Sequence, residues 1–373
     1  MRTNNRAVAA PAPHAGGQIR SIQALRALAA LFVVAFHSTV LWHDKFSHRA
    51  MPWENGNAGV DIFFVISGFI MVVSSRRLLR QADGWRQFMQ LRLIRIVPLY
   101  WLATLLKLAM IVAVPAMALH THPTLWNGIA SFLFVPSRDA AGQIRPVFDA
   151  GWTLSFEMLF YLVFAGAMFF RLAPLLLVIP VMLALAWLSL LPTANAPAFT
   201  SLASPLVLEF VFGALAGQAF ITGKLERFAS PWMMVLVAFG LICAGFVPAN
   251  GVWPRVAIWG GGGTVALLGC VLAERWLDRL LPRALIWIGE ASYSLYLVHG
   301  FILPIAGLLI AKSHLVGAVQ KTALVCLCMV ASTVAALLVY QLIEMPVTMW
   351  LREEFSKKNG SFFKKRPKKL LVL

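Results

Sequence analysis

The sequence of 373 residues is 60% hydrophobic and only 13% charged, with a mean hydropathy of +0.77. Soluble globular chains are about half apolar and about a quarter charged, so this composition excludes a soluble fold and makes lipid the solvent for most of the chain. A net charge of +17 would suit nucleic acid, but the basic residues flank apolar stretches, which assigns the charge to membrane topology and leaves no nucleic-acid partner.

The first twenty residues are Ala, Pro, Gly and polar. They contain no apolar core of a cleavable signal, so 1–21 is expected to stay attached as a flexible cytosolic segment. Apolar stretches of spanning length follow at 22–41, 59–74, 97–115, 152–170, 173–191, 202–220, 232–248, 255–273, 285–310 and 322–343. Their length and lack of alternation choose helices over a barrel. The expected fold is an all-α bundle of about ten transmembrane helices filling 22–350, with no soluble domain appended. Residues 116–151 form the longest external connection, with Pro123, Pro136, Pro146 and an apolar patch around Phe132, and are read as a cap over the outer mouth. The tail 351–373 carries Lys357, Lys358, Lys364, Lys365, Arg366, Lys368 and Lys369. It reads as a topology signal or as a cluster that lies against anionic headgroups.

With the N-terminus inside, cytosolic segments hold 23 Lys and Arg and external segments six. The positive-inside rule therefore expects both termini in the cytosol. Cys243, Cys270, Cys326 and Cys328 all fall within spans, where free Cys behaves as a small hydrophobe. Neither a disulfide nor a metal site is expected. His43, His48, His120 and His122 read as loop-surface histidines.

Ionisable groups inside spans cost free energy and mark function. Arg26 lies near the inner end of the first span and His37 eleven residues on. Three helical turns return the azimuth to within about 20°, so the two share a face and lie about 16 Å apart along the axis. Counted from the span ends, Glu157 falls at the depth of His37, and Asp61 and His299 join them in the outer half. Arg92 and Arg95 join Arg26 at the inner end, which looks built for an anion. This polarity suits acyl-coenzyme A, its phosphates held from the cytosol and its thin arm reaching a deep histidine. A neutral His37 takes the proton of a sugar hydroxyl attacking the thioester, or first accepts the acyl group itself. A nearby carboxylate would hold its tautomer. Bland roles compete at each position. Asp61 reads equally as a helix N-cap, Arg92 and Arg95 as topology anchors with Glu344 as their ion-pair partner, and His299 as an interhelical hydrogen bonder. Ser292, Tyr296 and His299 share a helical face, as many packing stripes do.

At these residues the sequence resembles the acyltransferase 3 family of bacterial integral-membrane acyltransferases. The motifs are Arg26 with His37, the run from Gly59 to Phe69, the segment from Arg92 to Tyr100, Trp152 to Glu157 with Tyr161, Ser292 to His299, and Glu344-Met345-Pro346. The run Gly151-Trp152-Thr153-Leu154-Ser155-Phe156-Glu157-Met158 is most similar to the exopolysaccharide branch, that of succinoglycan acetyltransferases. The resemblance implies acetyl transfer from cytosolic acetyl-CoA, a co-substrate rather than a bound cofactor, to a carbohydrate, with Arg26 and His37 essential. Some relatives add a hydrolase-like domain outside the membrane, which this chain is expected to lack. The resemblance implies a bacterial inner-membrane location, and taken together with the reading of the residues it makes His37, Glu157 and Asp61 the expected catalytic residues and gives donor binding to Arg26, Arg92, Arg95 and Tyr100. Trp152, Tyr161, Ser292, Tyr296 and His299 become acceptor-side or supporting residues. Expected partners are acyl-CoA, a lipid-linked or polymeric saccharide, and polysaccharide assembly machinery. A flippase for a lipid-linked saccharide would use the same inner arginines, though no internal repeat supports it.

Overall fold

The computed structural model describes residues 19–48, 51–113, 123–191 and 196–358. Most of the N-terminal segment, His120, His122 and the basic cluster from Lys364 to Lys369 lie outside these residues. Helices account for the architecture, and among the described residues the extended pairing is a single bridge between Arg138 and Ile144. In chain order the helices are α1 (Arg20–Phe46), α2 (Ala58–Ser75), α3 (Gly84–Ala113), α4 (Leu125–Phe132), α5 (Gly151–Phe169), α6 (Pro174–Leu188) and α7 (Val207–Ile221). There follow α8 (Met234–Phe246), α9 (Val252–Arg255), α10 (Gly261–Leu280), α11 (Arg283–Glu290), α12 (Ser292–Ala311), α13 (Gly317–Val339) and α14 (Met345–Lys358). A π-helical turn, Val256–Gly260, joins α9 to α10, and a second, Tyr340–Glu344, joins α13 to α14.

Seven helical stretches among the described residues are long and apolar enough to cross a membrane. The chain is a multi-pass membrane protein. The expected spans 173–191, 202–220 and 232–248 fall on the shorter apolar helices Pro174–Leu188, Val207–Ile221 and Pro231–Phe246. Boundaries depart from expectation in three places. The third helix begins at Gly84, so Arg92 and Arg95 ride on α3 instead of a loop. The expected span 285–310 is broken at Ala291, which lets Ser292 open α12. The last helix runs on through the π-turn into α14, so residues 351–358 are helical. In each case polar residues sit at a helix end, where hydropathy falls although the backbone still needs its internal hydrogen bonds.

Packing between spans uses small residues, as it must where lipid removes the hydrophobic drive for helix association. A Cβ on Gly213 of α7 would strike the Val65 carbonyl of α2, and one on Gly68 of α2 would strike the Phe210 carbonyl of α7. The two backbones are in contact. Aromatic rings bridge the adjoining helices, with Phe64 stacked on Phe210 at 4.6 Å, Phe210 on Phe160 at 4.8 Å and Phe88 on Phe164 at 5.0 Å. This ladder ties α2, α7, α5 and α3 together and fixes the walls of the site. Gly213→Val should cost about 3 kcal/mol because the obstacle is backbone that cannot change rotamer. The midpoint of thermal unfolding in detergent should fall accordingly, and an unchanged midpoint would show that α2 and α7 can part freely.

Candidate functional site

Because α1 is a single uninterrupted helix, Arg26 and His37 keep the shared face that their spacing requires. Arg26 is 4% exposed and donates from Nη1 to Gln23 Oε1 at 3.1 Å. Arg92, also buried, donates from Nη2 to Ser74 Oγ at 2.5 Å and lies 5.7 Å above the ring of Phe88. Both guanidiniums are thus oriented by neutral hydrogen-bond partners, and the Glu157 carboxylate in the same cavity acts on both charges. Arg26, Arg92 and Arg95 converge on a cavity of about 90 Å³. Ser67 of α2, Glu157 and Tyr161 of α5, and Ser292, Tyr293 and Tyr296 of α12 complete its polar wall. Ser67 Oγ donates to Glu157 Oε1 at 2.5 Å, and Tyr293 Oη donates to the Ile96 carbonyl at 2.7 Å, closing α12 onto α3.

At its α12 side the cavity is one residue removed from a pair of imidazoles. Tyr296 lines the cavity, shares a 2.9 Å hydrogen bond with Thr153 Oγ1, and its ring lies 6.0 Å from that of His299. The His299 ring lies 5.2 Å from His37 at an interplanar angle of 32°. His299 Nδ1 is 3.2 Å from the Leu295 carbonyl, which can only accept. The Nδ1 proton is therefore required, and a neutral His299 presents Nε2 as an acceptor.

Several expected placements change. Glu157, matched in depth to His37, instead faces the arginine-lined cavity, and the ring against His37 is His299. Tyr100, grouped with the donor arginines, lines a different cavity together with Trp152, because it stands eight residues beyond Arg92 on α3. Asp61 neither caps α2 nor lines the arginine cavity. Its two oxygens take Arg255 Nε at 2.9 Å and 3.2 Å and Nη2 at 2.8 Å, a bidentate buried pair. Glu344 accepts from Ser294 Oγ at 2.5 Å and shares a small cavity with Arg95 and Arg352.

Four contributors were not singled out from the sequence: Gln23, Ser67, Ser74 and Glu209. Gln23 stands at i−3 of a buried Arg on the same helix, a legible pairing. Ser67 and Ser74 are ordinary serines whose importance needs the neighbouring helix. Glu209 is fully buried in α7, and its side chain packs against Gly260 beside the Asp61–Arg255 pair. A lone acid within an apolar run was a visible signal.

Residues 19–341 match the acyltransferase domain family. The chain is 35% identical over 307 residues to the exopolysaccharide production protein ExoZ of Rhizobium meliloti (strain 1021), a match covering 78% of this chain and 89% of that protein. It is 29% identical over 162 residues to the peptidoglycan O-acetyltransferase OatA of Listeria monocytogenes serovar 1/2a (strain ATCC BAA-679 / EGD-e), covering 39% of this chain and 23% of that protein. No solved structure matches. The match over residues 19–341, together with 35% identity across 78% of the chain to one relative, places this chain in the acyltransferase 3 family of membrane acyltransferases.

Proposed function

We propose that the protein moves an acetyl or other short acyl group from cytosolic acyl-CoA to a sugar hydroxyl of an exopolysaccharide or other cell-surface glycan, in the bacterial inner membrane with both termini cytosolic. The observation that carries this reading is the narrow cavity with three guanidiniums at its wall and the His299–His37 pair one residue beyond it. Guanidiniums held by neutral partners remain available for the phosphates of coenzyme A. The cavity of about 90 Å³ between them leaves space for the reacting end of the donor's arm beside the guanidiniums. The similarity to a Rhizobium exopolysaccharide production protein supports an exopolysaccharide acceptor, and the similarity to a Listeria O-acetyltransferase supports an ester product.

In the proposed reaction the sugar oxygen attacks the thioester carbonyl while its proton passes to His37. The C–O bond forms, the C–S bond breaks, and the thiolate takes the proton back from the imidazolium to leave as the free thiol. No tightly bound cofactor is required.

The donor end is tested by Arg26→Ala and Arg92→Ala. Each removes charge-assisted hydrogen bonds of about 1.5–3 kcal/mol, so calorimetry on purified variants should show coenzyme A binding weakened about 10- to 100-fold, with Lys restoring only part of it. Unchanged binding in both Ala variants would remove the phosphate-anchor role. For the overall activity, deletion of the gene should remove an O-acyl signal from the NMR spectrum of the surface polysaccharide while the sugar backbone persists. Loss of the polysaccharide itself would favour export over acylation.

A further inference from the structure

Beyond the π-helical turn Tyr340–Glu344 the last helix continues as α14, and a small cavity lies along it. Its wall includes Arg95 of α3, Glu290 of α11 and, on the last helix, Tyr340, Glu344, Thr348 and Arg352. Arg95 also lines the arginine cavity, so one side chain is common to both. Glu344, Thr348 and Arg352 recur every four residues, which sets them on one helical face. Arg352 stands about 12 Å beyond Glu344 along the axis.

The direction of that step follows from α1. Cys328 meets Ser38, and the charge of Glu344 acts on Arg26. The last helix therefore runs antiparallel to α1 and carries Arg352 past Arg26, on the side away from His37.

The guanidiniums form a continuous series. The charge of Arg95 acts on Arg26, Arg92 and Arg352, and that of Arg352 acts on Arg92. Among the described residues the two cavities together are lined by four guanidiniums, those of Arg26, Arg92, Arg95 and Arg352, and by three carboxylates, those of Glu157, Glu290 and Glu344. Like charges repel more strongly where water is scarce, and one positive charge stays unmatched even with every carboxylate ionised. Arg92 Nε, moreover, is buried and makes no hydrogen bond. This series calls for an anion with charge at more than one place along it. A guanidinium carries five donors, so neighbouring carboxylates can orient Arg352 and still leave N–H groups for a phosphate.

Coenzyme A carries phosphate in two places, a diphosphate at the head of its thin arm and a single phosphate on the ribose, at the end remote from the thioester. With the thioester toward His37, the diphosphate falls among Arg26, Arg92 and Arg95, and the ribose phosphate falls beyond them. We infer that Arg352 binds the ribose phosphate of the acyl-CoA donor and sets a preference for coenzyme A over its dephospho form. The inference rests on the acyl-CoA reading of the arginine cavity and adds to it the recognition of the donor's nucleotide end.

Calorimetry on the full chain in phosphatidylcholine nanodiscs, with coenzyme A and dephospho-coenzyme A as the two ligands, tests this. The parent protein should bind coenzyme A about 10- to 100-fold more tightly, the range of a charge-assisted phosphate contact. In Arg352→Ala the two ligands should bind within about twofold of each other, because only the contact to the ribose phosphate is lost. Arg352→Lys should keep part of the preference, since a point charge replaces a fork. Where Arg352→Ala lowers the melting temperature, Arg352→Gln gives the same reading with the length and an amide donor retained. A parent protein without the preference, equal loss of both ligands in the variants, or a preference undiminished in Ala and Gln overturns the inference. So does a rise in melting temperature with phosphatidylglycerol that Arg352→Ala abolishes while the ligand preference persists, which would make the bound phosphate a lipid headgroup. A parent protein that binds neither ligand refutes the acyl-CoA reading instead, so the two failures are distinct.

Discussion

His37→Ala and His37→Gln should each lower acyl transfer at least a hundredfold while the protein still inserts, folds and binds coenzyme A. General-base catalysis by a placed imidazole is worth about 10²- to 10⁴-fold, and glutamine keeps a hydrogen bond without accepting the proton. His299 provides the internal control. Its Nδ1 proton is committed to the Leu295 carbonyl and its ring lies against His37 at 5.2 Å, so it is a positioning residue, and His299→Gln should cost about tenfold, within the smaller range of a lost neutral hydrogen bond. The pH–rate profile separates the roles: the limb set by the base should persist in His299→Gln and vanish in His37→Gln. A larger loss at His299 than at His37 would exchange their assignments, and substantial transfer by either His37 variant would end the catalytic reading of that residue. Measurement of acetyl transfer and coenzyme A affinity in one detergent preparation distinguishes lost chemistry from lost donor.

The relation of Arg26 to His37 was legible because both lie on one helix, where 3.6 residues per turn fixes distance and azimuth together. Relations between helices were not. Depth below the membrane surface gives Glu157 one coordinate, but the rotation of α5 and its place around the bundle decide its neighbour, and these come from packing. The same limit explains Tyr100. Eight residues after Arg92 amounts to about 12 Å of rise and a turn of about 80° from its face, enough to move it from the arginine cavity to the cavity it shares with Trp152. Asp61 failed differently: an acid in the first turn of an apolar helix has a local explanation, and its partner Arg255 stands 194 residues away. Spans as a class were legible from hydropathy, whereas the break at Ala291 and the π-turn at Tyr340–Glu344 depend on contacts with other helices.

Glu157→Gln should reduce acyl transfer about a hundredfold while coenzyme A binds at least as tightly as to the parent protein. The carboxylate shares the cavity with Arg26, Arg92 and Arg95, whose charges all act on it, and it accepts the Ser67 hydroxyl at 2.5 Å. An amide oxygen can still take that hydroxyl, so the contact between α2 and α5 survives the substitution. What disappears is the negative charge that balances three guanidiniums in a low-dielectric setting, where an uncompensated buried charge costs several kcal/mol. The ligand-free variant should therefore melt at a lower temperature than the parent. Coenzyme A brings phosphate charge back into the site, so it should raise the melting temperature of Glu157→Gln more than that of the parent protein. Transfer stays impaired because the phosphates bind at the mouth and cannot orient the reacting end of the donor arm. A purely structural Glu157 would show the lower melting temperature with near-normal transfer once coenzyme A is saturating. A Glu157 that only repels the donor would show faster transfer and tighter binding in the Gln variant. Sharply reduced transfer with an enlarged thermal shift is the combination that a charge-balancing residue beside the reacting atoms must produce.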